Sequence, residues 1–125
     1  MLNIRVERRN EAAVVHCSGR IDIGEGLTRL REMLISQMNS RVILLDLSRV
    51  TAIDAAGLGL LSFIHTRAVT RGCSLKLVAP SVQVRNLLAL TRLDSVLTIA
   101  TAAEARALKQ PFYDPAKLRD DIACA

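Results

Sequence analysis

An aspartate, two alanines and a glycine, Asp54-Ala55-Ala56-Gly57, followed by Leu58 and Gly59, stand where an apolar run gives way to a helical pattern. The segment 42–61 reads VILLDLSRVTAIDAAGLGLL. Its apolar run reaches Asp46 and predicts a buried strand. The polar link Ser48-Arg49-Val50-Thr51 follows, and from Ala55 onward the apolar residues take helical spacing. A strand that delivers a loop to the start of a helix brings unpaired backbone N–H groups and the positive helix end to the surface. Asp54 stands at the N-cap position, so its carboxylate is expected to accept from the N–H of Ala56 or Gly57. Gly57 and Gly59 permit close approach of the first helical turn to the sheet or to a partner. No Lys-Ser/Thr follows the Gly-Leu-Gly, which excludes a phosphate-cradling P-loop.

Other residue types that could do chemistry lack companions. His16 falls in a predicted strand and His65 in a predicted helix, neither with a metal-ligand partner at useful spacing. Both read as ordinary core or surface histidines. Asp46 ends a strand, where sites of α/β proteins cluster, but no nucleophile–base pair or metal cluster accompanies it. Cys17, Cys73 and Cys124 have no redox or ligand spacing, and an odd, scattered set predicts reduced structural thiols. The expectation is a protein that is not an enzyme and holds no metal or cofactor.

Composition narrows the class further. The chain has 125 residues, enough for one domain with its own core, and half of them are apolar. With two Phe, one Tyr and no Trp, that core must be aliphatic. No uncharged apolar run reaches the ~18–20 residues a membrane helix needs. Strand-like alternation starts at the N-terminus, which predicts no signal peptide and a cytoplasmic location. The net charge of +5 could favour an anionic partner. Yet the arginines are scattered, with no basic run and no aromatic interleaving, so the charge reads as a solvated surface and no specific nucleic acid is expected.

The pattern along the chain is ββαβαβαβα. Leu2, Ile4 and Val6 alternate with polar residues as a half-buried strand, and residues 12–18 supply its hairpin partner. Leu27, Leu30, Leu34 and Met38 predict an amphipathic helix over 25–38. Residues 42–46 are too continuously apolar for a half-exposed strand, which implies helices layered on the sheet. A helix over 55–71 turns Gly57, Leu61, Ile64 and Ala68 to one face, and Gly72 stops it. A strand over 75–79, a helix from Pro80-Ser81 with Val84, Leu87 and Leu88 inward, and a strand over 96–100 follow. Thr101 and Glu104 have capping-box spacing before a last helix to residue 109. Residues 110–125 break the pattern.

Four segments together resemble the STAS domain of bacterial anti-sigma factor antagonists. They are Gly19-Arg20-Ile21-Asp22, the central Asp54-Ala55-Ala56-Gly57-Leu58-Gly59, Leu75-Lys76-Leu77-Val78-Ala79-Pro80-Ser81, and Leu90-Thr91-Arg92-Leu93-Asp94. The resemblance implies an α/β fold, a single STAS domain over 2–108 with a mixed sheet of about five strands and helices packed mostly on one face. It leaves 109–125 as a C-terminal extension. It implies a protein-interaction module that binds a kinase-like anti-sigma factor and so releases a sigma factor. By position, the docking surface would be Asp22, Ser48, Thr51, Asp54, Ala56, Gly57 and Leu58. In that family the central motif is usually Asp-Ser-Ser-Gly-Leu-Gly, and the serine before the glycine accepts phosphate. Ala56 stands there, so the resemblance implies a recognition surface whose phosphate switch is lost, with Ser48, Thr51 and Ser62 the remaining hydroxyls nearby. STAS domains without a phosphoacceptor also serve as accessory subunits that bind the ATPase of lipid-transport ABC systems, which is the alternative, beside a scaffold subunit of a stress-signalling assembly.

Overall fold

The computed structural model describes residues 1–108. Its sheet has five strands in the order β1-β2-β3-β4-β5: Leu2–Arg9, Ala12–Ile21, Val42–Ile53, Ser74–Val78 and Thr98–Ile99. β1 runs antiparallel to β2, and the other neighbours are parallel. The two-residue hairpin Asn10-Glu11 has Asn10 at φ 57, a left-handed position that asparagine tolerates better than most residues. Four helices, α1 (Glu25–Ser36), α2 (Ala55–Thr70), α3 (Val82–Leu90) and α4 (Ala102–Ala107), alternate with the later strands.

Pleating divides the sheet into two unlike faces. Leu2, Val15, Cys17, Ile43, Leu45, Leu47, Leu75 and Leu77 share one core with Leu30 and Leu34 of α1, Leu61, Ile64 and Ala68 of α2, and Val84 and Leu88 of α3. The expected inward residues of α1, α2 and α3 therefore pack toward the core, with Leu27 and Leu87 only half-buried. The opposite face is polar over β1, β2 and the end of β3. Its other half meets α4, where Lys76 Nζ donates to Glu104 at 2.6 Å and Arg9 donates to the carbonyls of Ala107 and Leu108.

Helix ends follow the sequence closely. Gly72, at φ 71, closes α2: its N–H reaches the Val69 carbonyl and that of Cys73 the Ala68 carbonyl, the paired bonds of a Schellman stop. Ser81 caps α3 through the Val84 N–H, and Thr101 and Glu104 form the reciprocal capping box of α4.

Several boundaries differ from expectation. β2 runs on past residue 18 to Ile21, because its pairing with β3 continues to Ile53, and α1 ends at Ser36, leaving Met38 beyond it. The segment 48–51 is no loop: β3 continues to Ile53, because Val50 and Ile53 are buried and β2 pairs with the strand to its end. Polar residues misled because Ser48, Arg49 and Thr51 face solvent. The last strand is only Thr98–Ile99, since Val96 closes a 3-10 turn over Leu93–Ser95 and is exposed. α4 ends at Ala107 with Leu108 as its cap. The expectations for 109–125, with Phe112, Tyr113 and Cys124, lie outside the described residues.

Candidate functional site

The start of α2 is built around one carboxylate. Asp54 Oδ1 accepts the Gly57 N–H at 2.8 Å, as its N-cap position predicts, and Oδ2 accepts the Ile23 N–H at 3.0 Å. The second bond is not legible in sequence, because it joins residues 31 apart. It ties the loop between β2 and α1 to the first turn of α2. Those two donors, Gly57 first, hold the Asp54 carboxyl below its ordinary value of 3.8. Gly57 is required by contact: a Cβ there would lie 2.7 Å from the Ile21 carbonyl oxygen and 2.7 Å from Ile53 Cγ1. A Cβ at Gly59 would meet nothing within 4 Å outside its own helix, so a close approach to the sheet is not realised there.

Around this turn the structure gathers part of the expected docking set. Asp22 is half-exposed and pairs with Arg20 at 3.2 Å. Ala55 is exposed and Ala56 half-buried, whereas Gly57 and Leu58 are buried and belong to the packing of α2. Thr51 is exposed, its hydroxyl donating to the Gly19 carbonyl. It borders an apolar groove of about 380 Å³ between the end of β3 and α3, lined by Ala52, Ile53, Val84, Leu87 and Leu90 among others. Sequence reasoning missed Ile23, 79% exposed beside Asp22, and Leu90, 80% exposed at the groove. Both had a signal, as apolar residues outside the inward period of their neighbours.

Ser48 goes elsewhere. A bulge in β3 sets His16 opposite Asp46 but Ser18 opposite Arg49, so one extra residue turns Ser48 and Arg49 outward together. They join the polar face of the sheet. There His16, expected to be without companions, lies between two carboxylates: Nδ1 is 2.7 Å from Asp46 Oδ2 and Nε2 is 3.1 Å from Glu7 Oε2. Asp46 Oδ1 accepts the Ser48 N–H, and Glu7 also pairs with Arg9 at 2.9 Å. Burial pushes the Asp46 carboxyl up, but the bonds from Ser48 and His16 outweigh it and leave it below 3.8. His16 and then Arg9 lower Glu7 in the same way. Both ring nitrogens of His16 are thus engaged by carboxylates. Cross-strand register assembled it: Arg5 is opposite His16, which is opposite Asp46.

The two thiols among the described residues, Cys17 and Cys73, are buried. Burial first, then the Asp46 charge, pushes Cys17 up to about 12, and burial raises Cys73. Among the described residues, no group of three or more His, Cys, Asp and Glu side chains could hold a metal ion, and no helix is long and apolar enough to cross a membrane.

A mixed sheet opened by a hairpin, with a capped helix delivered from its central strand, defines a class of small α/β modules. The chain belongs to the STAS domain family, whose sequence profile matches residues 3–105. Its fold is that of solved anti-sigma factor antagonists. A Thermotoga maritima protein assigned to that group matches at 25% identity, over 83% of this chain and 92% of that one, with a TM-score of 0.73. An anti-sigma factor antagonist of Mycobacterium paratuberculosis matches at 21% identity, over 86% of this chain and 93% of that one, with a TM-score of 0.70. The same fold recurs in a sulfate transporter family protein of Wolinella succinogenes, at 19% identity over 78% and 84% of the two chains, with a TM-score of 0.62.

Proposed function

We propose that this chain is a non-catalytic, cytoplasmic docking module that binds a kinase-type anti-sigma factor through the start of α2, and that it does so without a phosphate switch. Competition is the mechanism: an anti-sigma surface occupied by this domain cannot hold its sigma factor. The observation that carries the reading is the Asp54 clamp. One carboxylate holds the first turn of α2 and the Ile23 loop together, presenting Asp22, Ile23, Ala55 and Ala56 on one rigid surface beside Thr51. A preformed surface loses little conformational entropy on docking. Ala56 has only a methyl group at the position where the family pattern has its phosphoacceptor. Phosphate there would add about −1.5 to −2 charges to the interface; an alanine keeps the surface permanently in its unmodified form.

Titration calorimetry against the purified partner tests this. Ala56→Asp should stay folded, since a carboxylate in the first helical turn interacts favourably with the helix dipole. The same charge would be desolvated without a counter-charge in the interface, so binding should fall by more than about tenfold. Ala56→Ser should bind like wild type and, if the partner retains kinase activity, gain one phosphate by intact mass with ATP. Undiminished binding by folded Ala56→Asp would place the partner elsewhere. The accessory role toward an ABC-transporter ATPase is favoured by the same Ala56, because that role needs no phosphoacceptor. Binding to such an ATPase, with none to a kinase-type anti-sigma factor, would decide for it.

A further inference from the structure

We infer that the polar face of the sheet carries a site for a small phosphate-type oxyanion, held between Arg5 and Arg49. The face has a depression of about 480 Å³ whose lining includes Asn3, Arg5, His16, Ser18, Asp46, Ser48 and Arg49. That volume suits a small ligand. Charge accounting points to an anion. Each carboxylate on this face is already engaged: Glu7 by Arg9 and His16, Asp46 by His16 and the Ser48 N–H. Arg5 and Arg49 make no ion pair or side-chain hydrogen bond among the described residues, although both line the same concavity. Positive charge is therefore left over, within a ring of hydroxyl, amide and imidazole groups.

Register supplies the spacing. Arg5 lies opposite His16 on β2, and Arg49 lies opposite Ser18. The two arginines thus flank β2 from strands roughly 10 Å apart, two interstrand spacings of about 4.8 Å. Long guanidinium side chains can close on a tetrahedral oxyanion from both sides of such a gap, each offering a planar pair of donors. Ser18 lies between them on β2, with Asn3 opposite it on β1 and Ser48 next to Arg49 on β3. The bulge at 46–49 is what makes this possible, since a regular strand would have turned only one of Ser48 and Arg49 outward. This site is distinct from the start of α2 and does not depend on the docking function.

Amide and imidazole NMR shifts of the full chain, titrated with inorganic phosphate at constant ionic strength, test the inference. Chloride at the same ionic strength is the control. Saturable shifts should appear at Asn3, Arg5, His16, Ser18, Ser48 and Arg49. Arg5→Gln with Arg49→Gln should weaken them about tenfold or more, while circular dichroism stays unchanged. Arg85→Gln, an exposed position on α3, should leave them as in wild type. Absence of saturable shifts, equal shifts with chloride, or shifts that survive the double substitution would each overturn the site.

Discussion

Two glycines of the same helix, two residues apart, have opposite physics. Gly57 is locked against the Ile21 carbonyl and the Ile53 side chain. Gly57→Ala should force the first turn of α2 off the sheet and cost about 1–3 kcal/mol, as overpacking does. Gly59 faces open space and only weakens the helix. Gly59→Ala should therefore stabilise the protein, by roughly 0.5–1 kcal/mol. Urea denaturation of the two variants checks the opposite signs. Equal destabilisation by both would mean that the packing at Gly57 does not govern the site. The partner supplies a further readout: if stabilised Gly59→Ala loses binding, the partner's backbone approaches at Gly59, and the glycine is kept for that contact.

At the scale of elements, α4 is the piece held most by local chemistry. It has six residues, too few for a helix that stands alone. Its capping box, the Lys76–Glu104 bond and the Arg9 contacts to its C-terminal carbonyls tie it to the polar side of the sheet. Thr101→Ala removes one reciprocal bond and should cost about 1 kcal/mol. The loss should be local. Hydrogen exchange should speed up at Glu104 and Ala105, while the amides of β3 keep their protection. Equal acceleration in β3 would make α4 part of the cooperative core, contrary to its shared contacts with the sheet's polar face.

Over the whole molecule, acid should act through four carboxylates among the described residues. Glu7, Asp46, Asp54 and Glu104 are all held below their ordinary values of 4.5 or 3.8. A carboxyl with a depressed folded value stabilises the protein above its unfolded value and loses that contribution as pH falls through the folded one. Urea midpoints should therefore be insensitive to these groups from neutrality to about pH 5 and decline steeply below about pH 4. A decline already present between pH 7 and pH 6 would overturn this assignment to the carboxylates. Cys17 and Cys73 should not contribute, since burial has moved both of them upward.

Element order, the aliphatic core, the Asp54 cap, the Gly72 stop and the Thr101 capping box were all legible in the sequence. Each depends on periodicity or on residues within a few positions of one another, and local physics is written locally. The extent of β3 was not, because Ser48, Arg49 and Thr51 are polar for reasons of exposure while the strand's hydrogen bonds are satisfied by β2. Nor was the Asp54–Ile23 clamp, which depends on β2 ending beside the start of α2. His16 shows the difference most plainly. Along the chain it has no companion at ligand spacing, yet cross-strand register brings Glu7 and Asp46 to its two nitrogens. Cross-strand neighbours are set by pairing, and pairing is decided only when the whole sheet closes over its core.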